Sequence, residues 1–184
     1  MNTNFKISEF ENTNKSILIF RANLKSKNWL TFITNKSYNN DIYLRWKKIQ
    51  NNEKKFFITD SGEFAIYMIE PGDYALEHFH GTASGMTIST GFPTTNYFAY
   101  FKINPKEILY CGDLIFDYNN TNIIAKGITL KDNFNEAKDF LLRKRPDIAP
   151  LLKKRLLEFN EDIKLAKSIE SSKQEVENAI NQMR

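Results

Sequence analysis

The sharpest local pattern in the chain is Glu77-His78-Phe79-His80. On a strand, residues two apart point the same way, so the imidazoles of His78 and His80 could converge on one metal ion. A catalytic zinc takes three protein ligands, and these are the only two histidines. Simple alternation sends Glu77 to the opposite face, where it cannot complete the set. The pattern therefore predicts a structural His pair near a strand end, with no metal. Nucleophilic catalysis has less support. Gly81-Thr82-Ala83-Ser84-Gly85 lacks the glycine two residues before the serine that a nucleophile elbow needs, and it reads as a turn. The single cysteine, Cys111, sits in the apolar stretch Ile108 to Phe116, where a thiol acts as a small buried hydrophobe. It cannot form an internal bridge. The few glycines stand singly at turns, so no phosphate-cradling loop or dinucleotide fingerprint is present.

Basic and aromatic residues interleave at Arg45-Trp46-Lys47-Lys48, at Lys54-Lys55-Phe56-Phe57 and from Tyr97 to Lys102. Single-strand nucleic-acid binding needs both ingredients on one surface. Trp46 belongs to the apolar face of its strand while Arg45 and Lys47 belong to the other, so stacking and charge are separated there. The clusters Arg143-Lys144-Arg145 and Lys153-Lys154-Arg155 read as cations in the last turn of one helix and on the solvated face of the next. With 26 Lys plus Arg against 22 Asp plus Glu, the net charge of +4 is spread along the chain, as on a soluble and mildly cationic surface.

The elements that must position these residues follow from turn spacing. Clusters at Asn39-Asn40-Asp41, Asn51-Asn52, Asp60-Ser61-Gly62, Pro71-Gly72-Asp73, Gly81 to Gly85, Gly91-Phe92-Pro93, Asn104-Pro105 and Asn119-Asn120 recur mostly about 9 to 13 residues apart. Short β-branched and aromatic runs lie between them. In 41–47, Ile42, Leu44 and Trp46 alternate with Tyr43, Arg45 and Lys47, as in a strand with one wet side. The runs Phe64 to Ile69 and Tyr97 to Ile103 are apolar on both faces, which calls for a central position or a cover outside the sheet.

From Asp132 the period lengthens to about 3.6. Phe134, Ala137 and Leu141 share a face, Asp132 is placed to cap the first turn, and Pro146 ends the helix. Pro150 then suits the first turn of a second helix carrying Leu152, Leu156, Phe159, Ile163 and Ala166. Residues 168–184 thin to Ile169, Val176 and Ile180 among charges and read as a tail. The expected organisation is a loose leader over 1–14, a β domain over 15–130 and a helical extension over 131–184.

A longer pattern bears on fold family. Pro71, Gly72, Tyr74 and Leu76 match a Pro-Gly-x-Tyr-x-Leu turn and strand; Glu107, Tyr110, Gly112 and Leu114 match a following x-Gly-Glu-x-x-Tyr-x-Gly-x-Leu strand pair, with Lys106 in place of its glycine. Together they resemble β-sandwich modules of uncharacterised bacterial envelope proteins and lipoproteins, over residues 63 to 130. The resemblance implies a fold and an envelope location. Gly-x5-His-x-His, from Gly72 to His80, is in turn similar to the first half of the cupin motif, but Ser84 and Gly85 stand where that motif has its Glu.

These readings converge on a mainly β chain: an antiparallel β-sandwich of about seven to nine strands with a C-terminal α-helical extension. The expected function is a non-catalytic interaction or structural module, bacterial and envelope-associated, with no catalytic, cofactor or metal residue. The alternatives are a single-strand nucleic-acid binder and a metal-dependent cupin-like enzyme. Partners would be a protein or a second copy, met through the C-terminal helices; nucleic acid is disfavoured. The longest apolar run, Ile17 to Phe20, is far short of the ~20 residues of a membrane span. The opening stretch carries Glu9 and Glu11 and no apolar signal core, so a native N-terminus predicts a cytoplasmic chain and a processed one the envelope.

Overall fold

Ile17 to Phe20 form an unbroken apolar run, which suits a strand buried on both faces. In this computed structural model, which describes residues 5–26, 41–83, 86–92, 97–119 and 122–159, that run is the middle of a sheet. Strand β1 (Ser16–Ser26) lies between β4 (Phe64–Ile69) and β8 (Ile108–Asn119), and Ile17 and Ile19 are fully buried. Strands β9 (Asn122–Lys131) and β10 (Leu152–Lys154) divide the other edge of β8, completing a five-stranded sheet. The second sheet has six strands. Its order is β11 (Glu158–Phe159), β7 (Ala99–Ile103), β5 (Gly72–Ala83), β2 (Asp41–Lys48) and β3 (Lys54–Asp60), with β6 (Met86–Gly91) also on β5.

The chain is thus mainly β, and its sheets are not closed. The alternation read in 41–47 holds for the core face: Ile42, Leu44 and Trp46 are buried with Leu18, Phe20 and Ala22 of β1 in one cluster, so residues of both sheets build a common core. The face expected to be wet is not, since Tyr43 and Arg45 are buried too. The expectation of purely antiparallel pairing does not hold. The second sheet is antiparallel throughout, but β8 runs parallel to both β1 and β10. Parallel neighbours need long connections, and here almost the whole β region separates β1 from β8.

Between the pairs Ile19↔Tyr110 and Arg21↔Asp113 the register shifts, because β8 carries an extra residue. The bulge centres on Gly112, whose φ of +110° disfavours any side chain. A Cβ there would also stand 2.5 Å from Leu130 Cδ1. Gly72 likewise has a positive φ, at its turn.

The first sheet's outer face is apolar, and it is covered. Helix α1 (Ile7–Asn12) contributes Phe10, and helix α2 (Phe134–Lys144) contributes Ala137 and Leu141, to a cluster with Ile17, Ile19, Phe64, Ile66, Ile108 and Tyr110. The doubly apolar run at Phe64 to Ile69 is therefore an edge strand made apolar on both faces by the helices above it. In β7 the outward residues are the half-buried Tyr100 and the exposed Lys102.

Two expectations are corrected. Residues 5–12, expected to be loose, are tied down by Phe10 and by Arg145, which donates to the Phe5 carbonyl and lies over its ring. The stretch from Pro150 is no helix as far as Phe159. A single 3₁₀ turn, Ala149–Leu151, leads into the extended β10 and β11. Ile163, Ala166 and the tail 168–184 lie outside the described residues.

Candidate functional site: the outer face of the second sheet

The His pair sits on β5, where strand pairing rather than simple alternation decides which way Glu77 points. Arg45 of β2 pairs with His78, yet the next residue, Trp46, pairs with Leu76, so β5 carries Glu77 as a bulge. Leu76 and Phe79 consequently both enter the core, three positions apart. Glu77 and His78 are left together outside. Arg45 Nε stands 2.8 Å from Glu77 Oε2, an ion pair in which both side chains are largely shielded. The expectation that Glu77 faces away from the histidines is thus corrected, and the bulge is the reason.

His78 and His80 are 1% and 4% exposed. The Nε2 of His78 is 2.8 Å from Ser89 Oγ on β6. Tyr43 of β2, paired with His80, places its ring edge-on to the imidazole at 5.6 Å between centroids. Arg45, Glu77, His78, His80, Tyr43 and Ser89 therefore form one polar and aromatic patch across β2, β5 and β6. Buried cations and imidazoles are retained in folds when each has a polar partner. Here Arg45 has the Glu77 carboxylate and His78 has the Ser89 hydroxyl. Among the described residues no three His, Cys, Asp or Glu side chains gather as a metal-binding set. Ser84 and Gly85, at the position of the cupin Glu, lie outside the described residues.

Other sequence candidates are dispersed. Trp46 is in the core, opposite Arg45 and Lys47, as the alternation predicts. Lys47 instead sits over the Tyr97 ring, 5.8 Å from its centroid. Cys111 is buried, and burial pushes its thiol pKa up, away from thiolate chemistry. Arg143 and Lys144 occupy the last turn of α2, as expected. Lys153 and Lys154 lie on β10 rather than on a helix face.

A second polar cluster went unread in the sequence. The Asp113 carboxylate, 1% exposed, accepts hydrogen bonds from Arg21 Nε at 2.7 Å and from Arg21 Nη2, from the Tyr110 hydroxyl at 2.8 Å and from Asn133 Nδ2 at 2.6 Å. Arg21 also pairs with Glu136 at 3.0 Å and lies over the Phe64 ring. The cluster joins β1, β8 and the start of α2. One signal was available: Arg21 and Asp113 are the single charges of the apolar runs 17–22 and 108–116. Beside it, a cleft of about 310 Å³ is lined by Asp132, Asn133, Phe134, Asn135, Glu136 and Lys154. Asp132 there accepts the Phe134 N–H from one position before the helix N-cap, which is Asn133 rather than the expected Asp132, and binds Lys154 at 2.7 Å. The Lys154 hydrogen bond holds the Asp132 carboxyl below its ordinary range.

No known protein family and no curated protein matches the chain. Among solved structures it is similar to a leucine-rich repeat protein from Bacteroides thetaiotaomicron, at 7% identity over 60% of this chain and 15% of that one, with a TM-score of 0.39. It is also similar to a protein from Eubacterium rectale solved by NMR, at 8% identity over 67% of this chain and 96% of that one, with a TM-score of 0.29. The chain spans only 15% of the first protein's length. At these scores neither carries an argument about fold or function. No helix among the described residues is long and apolar enough to cross a membrane.

Proposed function

We propose that this chain is a non-catalytic interaction or structural module, built as a β-sandwich with a helical cover and working at a bacterial envelope. The observation that supports it is how its buried polar groups are used. Asp113 is tied to Arg21, Tyr110 and Asn133; Glu77 to Arg45; and Glu107 to the Asn104 N–H and to Arg155. Each acid has a neighbouring cation or donor that fixes a strand or a loop. A general acid or base, by contrast, is poised toward a substrate position. The cluster of Tyr43, Arg45, Glu77 and the two histidines on β2, β5 and β6 is likewise buried, so it serves the fold rather than a substrate. The envelope location rests on the resemblance at Pro71 to Leu76 and Glu107 to Leu114 alone.

The test is elemental analysis of untagged protein, joined to fractionation of the cells that produce it. The reading expects substoichiometric metal and an envelope-associated chain. A stoichiometric transition metal that disappears in His78→Ala would replace it with the cupin-like enzyme. Recovery solely in the soluble cytoplasmic fraction would remove the envelope part.

A further inference from the structure

The segment after α2 crosses from one sheet to the other. Ile148 and Ala149 are anchored in the outer cluster. From Leu152 to Lys154 the chain pairs with Ile108 to Tyr110 of β8. The Arg155 N–H then reaches the Tyr110 carbonyl at 3.1 Å, and the Leu157 N–H reaches that of Cys111 at 2.9 Å. Glu158 and Phe159 finish the crossing by pairing with Tyr100 and Ala99 of β7. Leu157, 4% exposed, enters the core common to both sheets, whereas its neighbour Leu156 packs in the outer cluster. Arg155 fastens the crossing by donating to the Lys102 carbonyl and to Glu107.

We propose that residues 150–159 are a detachable strap, which opens as a unit about the Ala149 anchor while both sheets stay folded and so uncovers the β8 edge at Cys111. The two ladders involve three and two strap residues. Leu157 is the strap's one fully buried side chain; Leu152, Leu156 and Phe159 pack half-buried against the two clusters, and the remaining ties are ionic or made to backbone near the surface. Segments with so few buried apolar contacts open below the global unfolding free energy. The long ladders of β1 with β8 and of β2 with β5 do not share this weakness.

The sole cysteine is the reporter, because its carbonyl is held by the strap and its thiol is buried. The experiment is thiol labelling of the full chain under native conditions and in low urea, with amide exchange read by mass spectrometry. Strap amides should exchange together, ahead of those of β1. Labelling of Cys111 should depend on urea less steeply than global unfolding does. Arg155→Gln, and Leu157→Ala where it folds, should accelerate labelling about tenfold to a hundredfold, on the scale of one lost charged hydrogen bond or one apolar anchor. Tyr67→Phe, which weakens the opposite side of the fold, should not. Labelling that follows the global unfolding slope, and that all three variants accelerate in proportion to their loss of stability, would overturn the strap.

Discussion

Tyr67 of β4 reaches from the first sheet to the exposed edge of the second. Its hydroxyl donates to the Ile58 carbonyl at 2.6 Å and accepts from the Ile58 N–H at 2.6 Å, doing for one residue of β3 what a neighbouring strand would do. Its ring stacks on Phe20 and leans against Phe57. Tyr67→Phe keeps that packing and removes both hydrogen bonds. At about 1 kcal/mol net for each, the expected loss is about 2 kcal/mol. For a chain of this size that lowers Tm by about 4 to 8 °C. Burial also pushes the Tyr67 phenol up to about 12, from an ordinary value of 10.0. The raised value favours the neutral phenol in the folded chain. Its contribution is therefore complete below pH 10 and is lost as pH rises from about 10 to about 12, amounting to about 3 kcal/mol. Urea and thermal unfolding of both proteins at pH 7, repeated between pH 9 and 12, with amide exchange at Ile58, make the assay. The variant should exchange Ile58 faster and lose less of its remaining stability in alkali than the parent does. A loss under about 0.5 kcal/mol with the Ile58 amide still protected would refute the edge-sealing role.

Gly112→Ala should cost about 1 to 3 kcal/mol in urea unfolding, because it forces a side chain onto a positive φ and against Leu130. Asp113→Ala should cost more, about 3 to 5 kcal/mol, since it removes the acceptor shared by Arg21, Tyr110 and Asn133 and leaves Arg21 only the exposed Glu136; Asp113→Asn should recover part of that. Leu141→Ala should cost about 2 to 5 kcal/mol and loosen α2 in amide exchange, while Leu142→Ala, on the exposed side, should change little. Oligonucleotide binding should be weak and fall steeply with salt. Sub-micromolar affinity at physiological salt, reduced by removing Arg45 and Lys47, would contradict that.

How much of this was legible follows from which signals are local. The strand at 41–48 was readable because Ile42, Leu44 and Trp46 alternate with more polar residues, and α2 because its buried stripe of Ala137 and Leu141 is bounded by Asp132 and Pro146. Gly112 announced its bulge by interrupting an apolar run. The bulge at Glu77 carries no such mark. It exists because β2 and β5 pair out of step, which no single strand records. The strap was misread for a related reason. Leu152, Leu156 and Leu157 serve two different clusters in turn, and a chain weaving between layers leaves apolar residues at intervals much like those of a helix face. The partner of Asp113 was hidden by distance, since Arg21 lies 92 positions away.

That distance also sets the order of events as the chain is made. The strand holding Ile17 to Phe20 is made well before its parallel neighbour β8, which arrives some 90 residues later, about 5 to 20 seconds at ordinary translation rates. Until then β1 can hold only what it finds on its β4 side. The nascent chain therefore presents a sticky, half-paired strand while those residues are added, and closing so long a loop is slow. Folding of this protein should be limited by the docking of β8, and factors that shield the Ile17 to Phe20 strand during synthesis should decide how much of it is recovered in native form.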